Sequence, residues 1–148
     1  MELILAVNTV KRDVVIGADA RSVWGAILAV EIDPPEKSTL KVVAVEHHAD
    51  GRIARMTCDL TFAGKTSQQV VEYGYPDPYV ITSRVTPGSL VTKQEQTYRL
   101  SGVDGGTRLD YELDLDLNLP VPGFMLKPLL AKEAKTLCER IKQVAEGI

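Results

Sequence analysis

Five tyrosines, two adjacent histidines, two cysteines, two alternating glutamines and a row of carboxylates are the side chains of this chain that could do chemistry. His47 and His48 are sequence neighbours. On a strand they point to opposite faces and cannot jointly serve one site. Neither has a partner at metal-ligand spacing. Cys58 has no histidine set beside it by the sequence, so a nucleophilic pair is unsupported. Asp110, Glu112, Asp114 and Asp116 follow one strand edge to edge rather than converging on a point as calcium ligands must. No GxSxG, P-loop or GxGxxG occurs. The sequence therefore names no acid–base pair of the kind that proton-transfer catalysis needs.

What remains is hydrogen bonding. Tyr73, Tyr75 and Tyr111 could orient a ligand carbonyl or hydroxyl, or be ordinary half-buried sheet tyrosines. Gln94 and Gln96 alternate onto the face that carries Tyr98 and Leu100. Two glutamines in a dry core are costly unless hydrogen-bonded. A pocket with a few polar groups among apolar walls accounts for them. A strand bulge that turns them outward, or a short core network, is the alternative.

The elements that would position these residues follow from periodicity. A first strand is expected over Leu5–Ile16. Asp19 is a plausible N-cap for a short helix in which Ala20, Val23, Trp24, Ile27 and Leu28 recur at helical spacing, with Trp24 on the buried face. Asp33-Pro34-Pro35, within "EIDPPEK", breaks that helix. The middle of the chain alternates strand patterns with Gly-, Pro- or Asp-bearing turns, and such short links demand antiparallel neighbours.

The last strand pattern, "TRLDYELDLDLNLP", is almost unbroken. Leu109, Tyr111, Leu113, Leu115, Leu117 and Leu119 face one way and the acidic residues face water. Arg99 is expected near Asp110, and Lys93 near Asp114 or Asp116. The period then changes. Leu126, Leu130, Ala134, Leu137, Ile141 and Val144 form the stripe of a long C-terminal helix, with Pro128 near its first turn. Lys132, Lys135, Glu139, Lys142 and Glu146 lie largely on its other side. Such a helix is long enough to run along the whole sheet, and the apolar strip is expected to face it.

Composition sets outer bounds. The 148 residues are 45% hydrophobic and 25% charged, with net charge −3, which suits one soluble domain with a real core. No basic stripe suggests nucleic acid as a partner. The opening "MELILAVNTVKRDVVIG" has no basic n-region and too short an apolar run for a signal peptide or a membrane span. Two widely spaced cysteines outside any CxxC fit a reduced, cytoplasmic protein.

The order of elements resembles the START-like or Bet v 1-like superfamily, and within it the bacterial polyketide cyclase/dehydrase and coenzyme Q-binding-protein-like branch. The resemblance rests on Ala18-Asp19-Ala20 leading into Val23-Trp24, on Tyr98-Arg99-Leu100, Gly106-Thr107 and Tyr111-Glu112-Leu113, and on Pro122-Gly123. It implies an α+β helix-grip fold: a curved antiparallel sheet of about seven strands wrapped around the C-terminal helix, with one domain over residues 1–148. One departure is that "VEIDPPEKSTL" is short and lacks the aromatic second helix usual in the family, so a lid on that side is expected to be reduced or absent.

The resemblance also implies a cavity between sheet and helix for a hydrophobic small molecule such as a lipid, isoprenoid, quinone or polyketide-like chain. Strand parity and the helix stripe place Met56, Leu60, Tyr73, Tyr75, Ile81, Gln94, Gln96, Tyr98, Tyr111, Leu113, Leu115, Leu126, Leu130 and Leu137 on its wall. The mostly aliphatic lining suits a flexible chain. Pro122 and Gly123, with Phe124, Met125 and Leu126, would form part of a mouth at the start of the helix. No cofactor or metal is called for. A carrier or sensor is the first reading. A cyclase/dehydrase-type enzyme and a regulatory interaction module with a vestigial pocket are the alternatives, because this fold does not choose its function.

Overall fold

In the computed structural model, residues 8–34, 40–62, 64–86, 91–117 and 123–147 are described. Strand β1 (Asn8–Ile16) leads into helix α1 (Ala20–Ile32). Six strands follow: β2 (Leu40–His47), β3 (Ile53–Phe62), β4 (Lys65–Asp77), β5 (Val80–Val85), β6 (Val91–Val103) and β7 (Gly106–Leu117). Helix α2 (Gly123–Glu146) comes last among these elements. The seven strands form one sheet in the order β1-β7-β6-β5-β4-β3-β2, every neighbouring pair antiparallel. This is the expected helix-grip arrangement. Residues 5–7 of the expected first strand, Leu119 of the apolar strip and Pro122 of the expected mouth lie outside the described residues, as does 35–39 of the stretch expected to lack a second helix.

Each element forms for a readable local reason. Asp19 caps α1 by accepting the Ser22 amide hydrogen at 2.8 Å. Ser22 thereby holds the Asp19 carboxyl below its ordinary pKa. The turn into β7 uses Gly105 at φ +84°. Its neighbour Gly106 admits β1, since a Cβ there would stand 2.0 Å from the Ile16 carbonyl oxygen. Along β7, Leu109, Tyr111, Leu113 and Leu115 are buried, while Arg108 and Glu112 are exposed.

The acidic residues of the outer face find partners from β1 as well as β6. Arg108 bridges Asp13 and Asp110, each at 3.2 Å, Lys11 lies 3.9 Å from Glu112, and the Thr9 hydroxyl donates to Asp114. Arg99 sits opposite Asp110 and Lys93 opposite Asp116 in the β6–β7 register, as the pattern requires.

Three details differ from the pattern. The buried stripe of α1 is centred on Val23, Ala26, Ile27, Val30 and Glu31, leaving Trp24 and Leu28 at its half-buried edge. Pro128 stands inside α2 rather than in its first turn, because the helix begins at Gly123. Lys142 and Glu146 are half-buried rather than free in solvent. Lys142 Nζ donates to the Val15 carbonyl at 3.1 Å and to Glu146 at 2.8 Å, and Glu146 accepts the Gly17 amide hydrogen at 2.7 Å. This clasp fixes the C-terminal end of α2 to the end of β1. Helix α2 lies chiefly along β1 and against α1, and stands off β7.

Candidate functional site

The space left where α2 stands off the sheet is a cavity of about 190 Å³. Leu126, Leu129, Leu130 and Leu137 of α2 form one wall, and Leu113, Leu115 and Leu117 of β7 face them. Met56, Cys58 and Leu60 of β3 close another side. Set into these aliphatic walls are Glu31, Gln69, Tyr73, Gln94, Gln96 and Tyr111. The only register shift in the β6–β7 pairing falls between Val91 and Lys93, before both β6 glutamines, so Gln94 and Gln96 keep their inward parity.

The sheet register explains how residues distant in sequence meet. Tyr73 pairs with Ser83, Ser83 with Gln96, and Gln96 with Leu113, making one row across the floor. Ile81, Tyr98 and Tyr111 make the adjacent row. Above these rows the last turn of α1 delivers Glu31. The Tyr73 hydroxyl donates to Glu31 Oε1 and the Tyr98 hydroxyl to Glu31 Oε2, both at 2.5 Å. The Tyr111 hydroxyl donates to Gln96 Oε1, and Gln96 Nε2 donates to Ser83 Oγ at 2.9 Å.

Burial raises the pKa of the Glu31 carboxyl, opposed in part by hydrogen bonds from Tyr73, Tyr98 and Gln96. Its place at the C-terminal end of α1 also disfavours negative charge. The phenols of Tyr73 and Tyr98 are raised well above their ordinary value by burial first and by Glu31 second. Tyr111 follows for the same two reasons. All three are neutral donors. Burial, with the Glu31 and Asp59 charges, pushes the Cys58 thiol up to about 11, so it is no thiolate nucleophile at neutral pH.

Of the residues expected on the wall, Met56, Leu60, Tyr73, Gln94, Gln96, Tyr111, Leu113, Leu115, Leu126, Leu130 and Leu137 are there. Tyr98, Tyr75 and Ile81 are not. Tyr98 is buried behind the wall, where it holds Glu31. Ile81 is packed into the core. Tyr75 lies beyond Gly74, the last β4 residue in regular register with β5 before the shift. Its hydroxyl donates to the Ile53 carbonyl at 2.7 Å, and its ring lies between Trp24 and the Arg52 guanidinium. His47 and His48 are exposed and away from the cavity.

Among the wall residues that the sequence expectation lacks, two are buried and polar, Glu31 and Gln69. Glu31 belongs there to the helix-breaking stretch, yet it continues the buried i, i+4 series Val23–Ile27–Glu31. That series is the signal for it: a carboxylate falls on the apolar stripe, at the helix end that repels it. Gln69 is grouped by parity with Val71 and Tyr73, but nothing in the sequence marks it as different from them.

Comparison with known proteins agrees with this geometry. Residues 8–146 match the family model described as polyketide cyclase / dehydrase and lipid transport. No functionally curated protein matches the chain's sequence. A START superfamily protein of Mycobacterium smegmatis superposes with a TM-score of 0.68 at 26% identity, over 94% of both chains. The Zhui aromatase/cyclase of Streptomyces sp. R1128 superposes at 0.65 and 17% identity, covering 95% of this chain and 92% of its own. A protein of Thermus thermophilus superposes at 0.65 and 21% identity, covering 94% and 96%. The latter two share the fold. With the family model spanning nearly every described residue, the chain belongs to the polyketide cyclase / dehydrase and lipid transport family of the START-like superfamily.

Proposed function

We propose that the chain, acting as one domain over residues 1–148, binds a small, mainly apolar molecule between the sheet and α2. The observation that supports this is the cavity of about 190 Å³, aliphatic on the α2 and β7 sides and studded with amides and hydroxyls on the sheet floor. An engineered apolar cavity of roughly 150 Å³ holds benzene. The space therefore suits a one-ring or short-chain molecule better than an extended polyketide or isoprenoid. An interaction module with a vestigial pocket would instead have a filled interior. The two buried free thiols, Cys58 and Cys138, support a reducing, cytoplasmic setting.

Native mass spectrometry of freshly purified protein, followed by organic extraction, tests the reading. A co-purifying small apolar molecule is expected in the wild type. It should be lost in Leu113→Trp, which fills the cavity at a stability cost of about 1–3 kcal/mol. An apo mass throughout, together with no saturable uptake of acetophenone or ethylbenzene, overturns the reading.

Glu31 favours one second reading, cyclase/dehydrase-type chemistry, because a buried carboxyl with a raised pKa on a cavity wall suits proton transfer. On this reading Glu31 would exchange a proton with a carbon next to a ligand carbonyl. Exchange of the central hydrogens of 2,4-pentanedione in deuterated buffer, measured by NMR, should then be faster with wild type than with Glu31→Gln. Equal rates remove this alternative.

A further inference from the structure

We infer that Gln69 selects the ligand, and that it selects a neutral carbonyl compound over a hydrocarbon or a carboxylate of the same shape. The inference rests on the cavity reading above and adds to it a residue and a chemical class. The buried polar groups at the cavity are of two kinds. Those around Glu31 are occupied with one another. The phenolic hydrogens of Tyr73 and Tyr98 are committed to the two carboxyl oxygens, that of Tyr111 to Gln96, and the Gln96 amide to Ser83.

Gln69 is different. It lines the cavity, is only 5% exposed, and its Nε2 has no hydrogen-bond partner among the described residues. It lies opposite Cys58 in the β3–β4 register, four residues before Tyr73. That spacing is about 13 Å along the strand, which keeps it out of reach of the Glu31 cluster. A buried amide hydrogen without an acceptor costs free energy that an acceptor on the ligand recovers. A carbonyl oxygen supplies one and brings no donor of its own to satisfy. A hydrocarbon supplies none. A carboxylate would accept the bond but enters a space whose described wall carries Glu31 and Glu133 and no lysine or arginine. Its charge would go unpaired in a largely aliphatic surround.

Matched one-ring probes separate these cases. Dissociation constants for acetophenone, ethylbenzene and benzoate are measured by NMR titration with wild type and Gln69→Leu. Wild type is expected to bind acetophenone about five- to tenfold more tightly than ethylbenzene, the range of a single hydrogen bond, and benzoate weakest. In Gln69→Leu the acetophenone preference should vanish or reverse, since its carbonyl then goes unpaired, with ethylbenzene binding no worse than to wild type. The carbon-13 carbonyl resonance of bound acetophenone should move toward its position in apolar solvent. The substitution removes an unpartnered amide, so the variant should melt no lower than wild type. The inference is overturned if the acetophenone preference survives in Gln69→Leu, as it would were Gln69 only holding a water, or if benzoate binds tightest. Equal binding of the two neutral probes to wild type overturns it while leaving the cavity reading intact. If neither probe binds, the cavity reading falls with it.

Discussion

Carboxylates stand on two sides of the sheet, and they live under opposite rules. On the outer face Asp110, Glu112 and Asp114 are wet or half-wet and partnered by Arg108, Lys11 and Thr9. On the inner face Glu31 is buried, and neutral phenols are its closest partners. Water and nearby partners solvate the first group, and each exposed pair adds little to stability. Without them, Glu31 depends on two donated hydrogens and its proton is held more firmly. Asp116 lies between the two regimes. Partial burial raises its pKa, Lys93 opposes this, and its Oδ1 is buried with no partner among the described residues.

The sharpest way to break the contrast is to remove the inner carboxylate. Glu31→Ala strands the Tyr73 and Tyr98 hydroxyls in the interior, and should lower stability by about 3 kcal/mol at pH 5 in urea unfolding. If the loss is no larger than that of an outer-face variant, the inner cluster is not held together as described.

The next effect is a pH slope. The folded pKa of Glu31 lies above its unfolded value, so the folded chain keeps a proton that the unfolded chain releases. Its contribution to stability is complete below the unfolded value of about 4.5. It is lost as pH rises through that value toward the folded one, and then levels off. Asp19 and Glu146, whose folded values are lowered, act in the opposite sense and lose their contribution as pH falls. The difference between wild type and Glu31→Gln isolates the inner group. Urea midpoints from pH 4 to pH 8 should show wild type losing ground to Glu31→Gln as pH rises.

A smaller effect should come from Tyr98→Phe, which leaves Glu31 Oε2 short of one donor. A loss of about 1–2 kcal/mol at neutral pH is expected, with the carboxyl proton held still more firmly, readable as a carbon-13 titration of Glu31. The smallest belongs to the outer face. Glu112→Gln should stay within about 0.5 kcal/mol of wild type, and that difference should shrink in high salt.

The same two faces mark what can be read in the chain. Strand parity needs only neighbouring residues, so the alternation of β7, the inward turn of Gln94 and Gln96 and the stripe of α2 are legible directly. The contact of Glu31 with Tyr73 and Tyr98 joins positions 42 and 67 residues apart. It exists only once α1 is laid over the curved sheet. The helix-breaking prolines obscure it further, since they mark where α1 stops without saying which way its final turn points. Tyr75 fails in the other direction. Local parity puts it beside Tyr73 on the wall, whereas its hydroxyl binds the Ile53 carbonyl away from the cavity. Gln69 sits in the expected parity. Its difference from Gln96 lies in which partners the sheet brings to each, and no local pattern records that.

The sheet order has a consequence for how the chain reaches this state. Among the described strands β1 pairs only with β7, Asn8 lying opposite Leu115 and Ile16 opposite Thr107. Among the described strands, β1 therefore has no sheet neighbour until β7 has been made. At about 5–20 residues per second that interval is roughly 5–20 s. Throughout it an unpaired edge bearing Val10, Val14 and Ile16 is available to other nascent chains. Closure of so long a loop is slow in itself. Refolding of the purified chain should accordingly be limited by the β1–β7 union, with protection of β1 amides from hydrogen exchange appearing last.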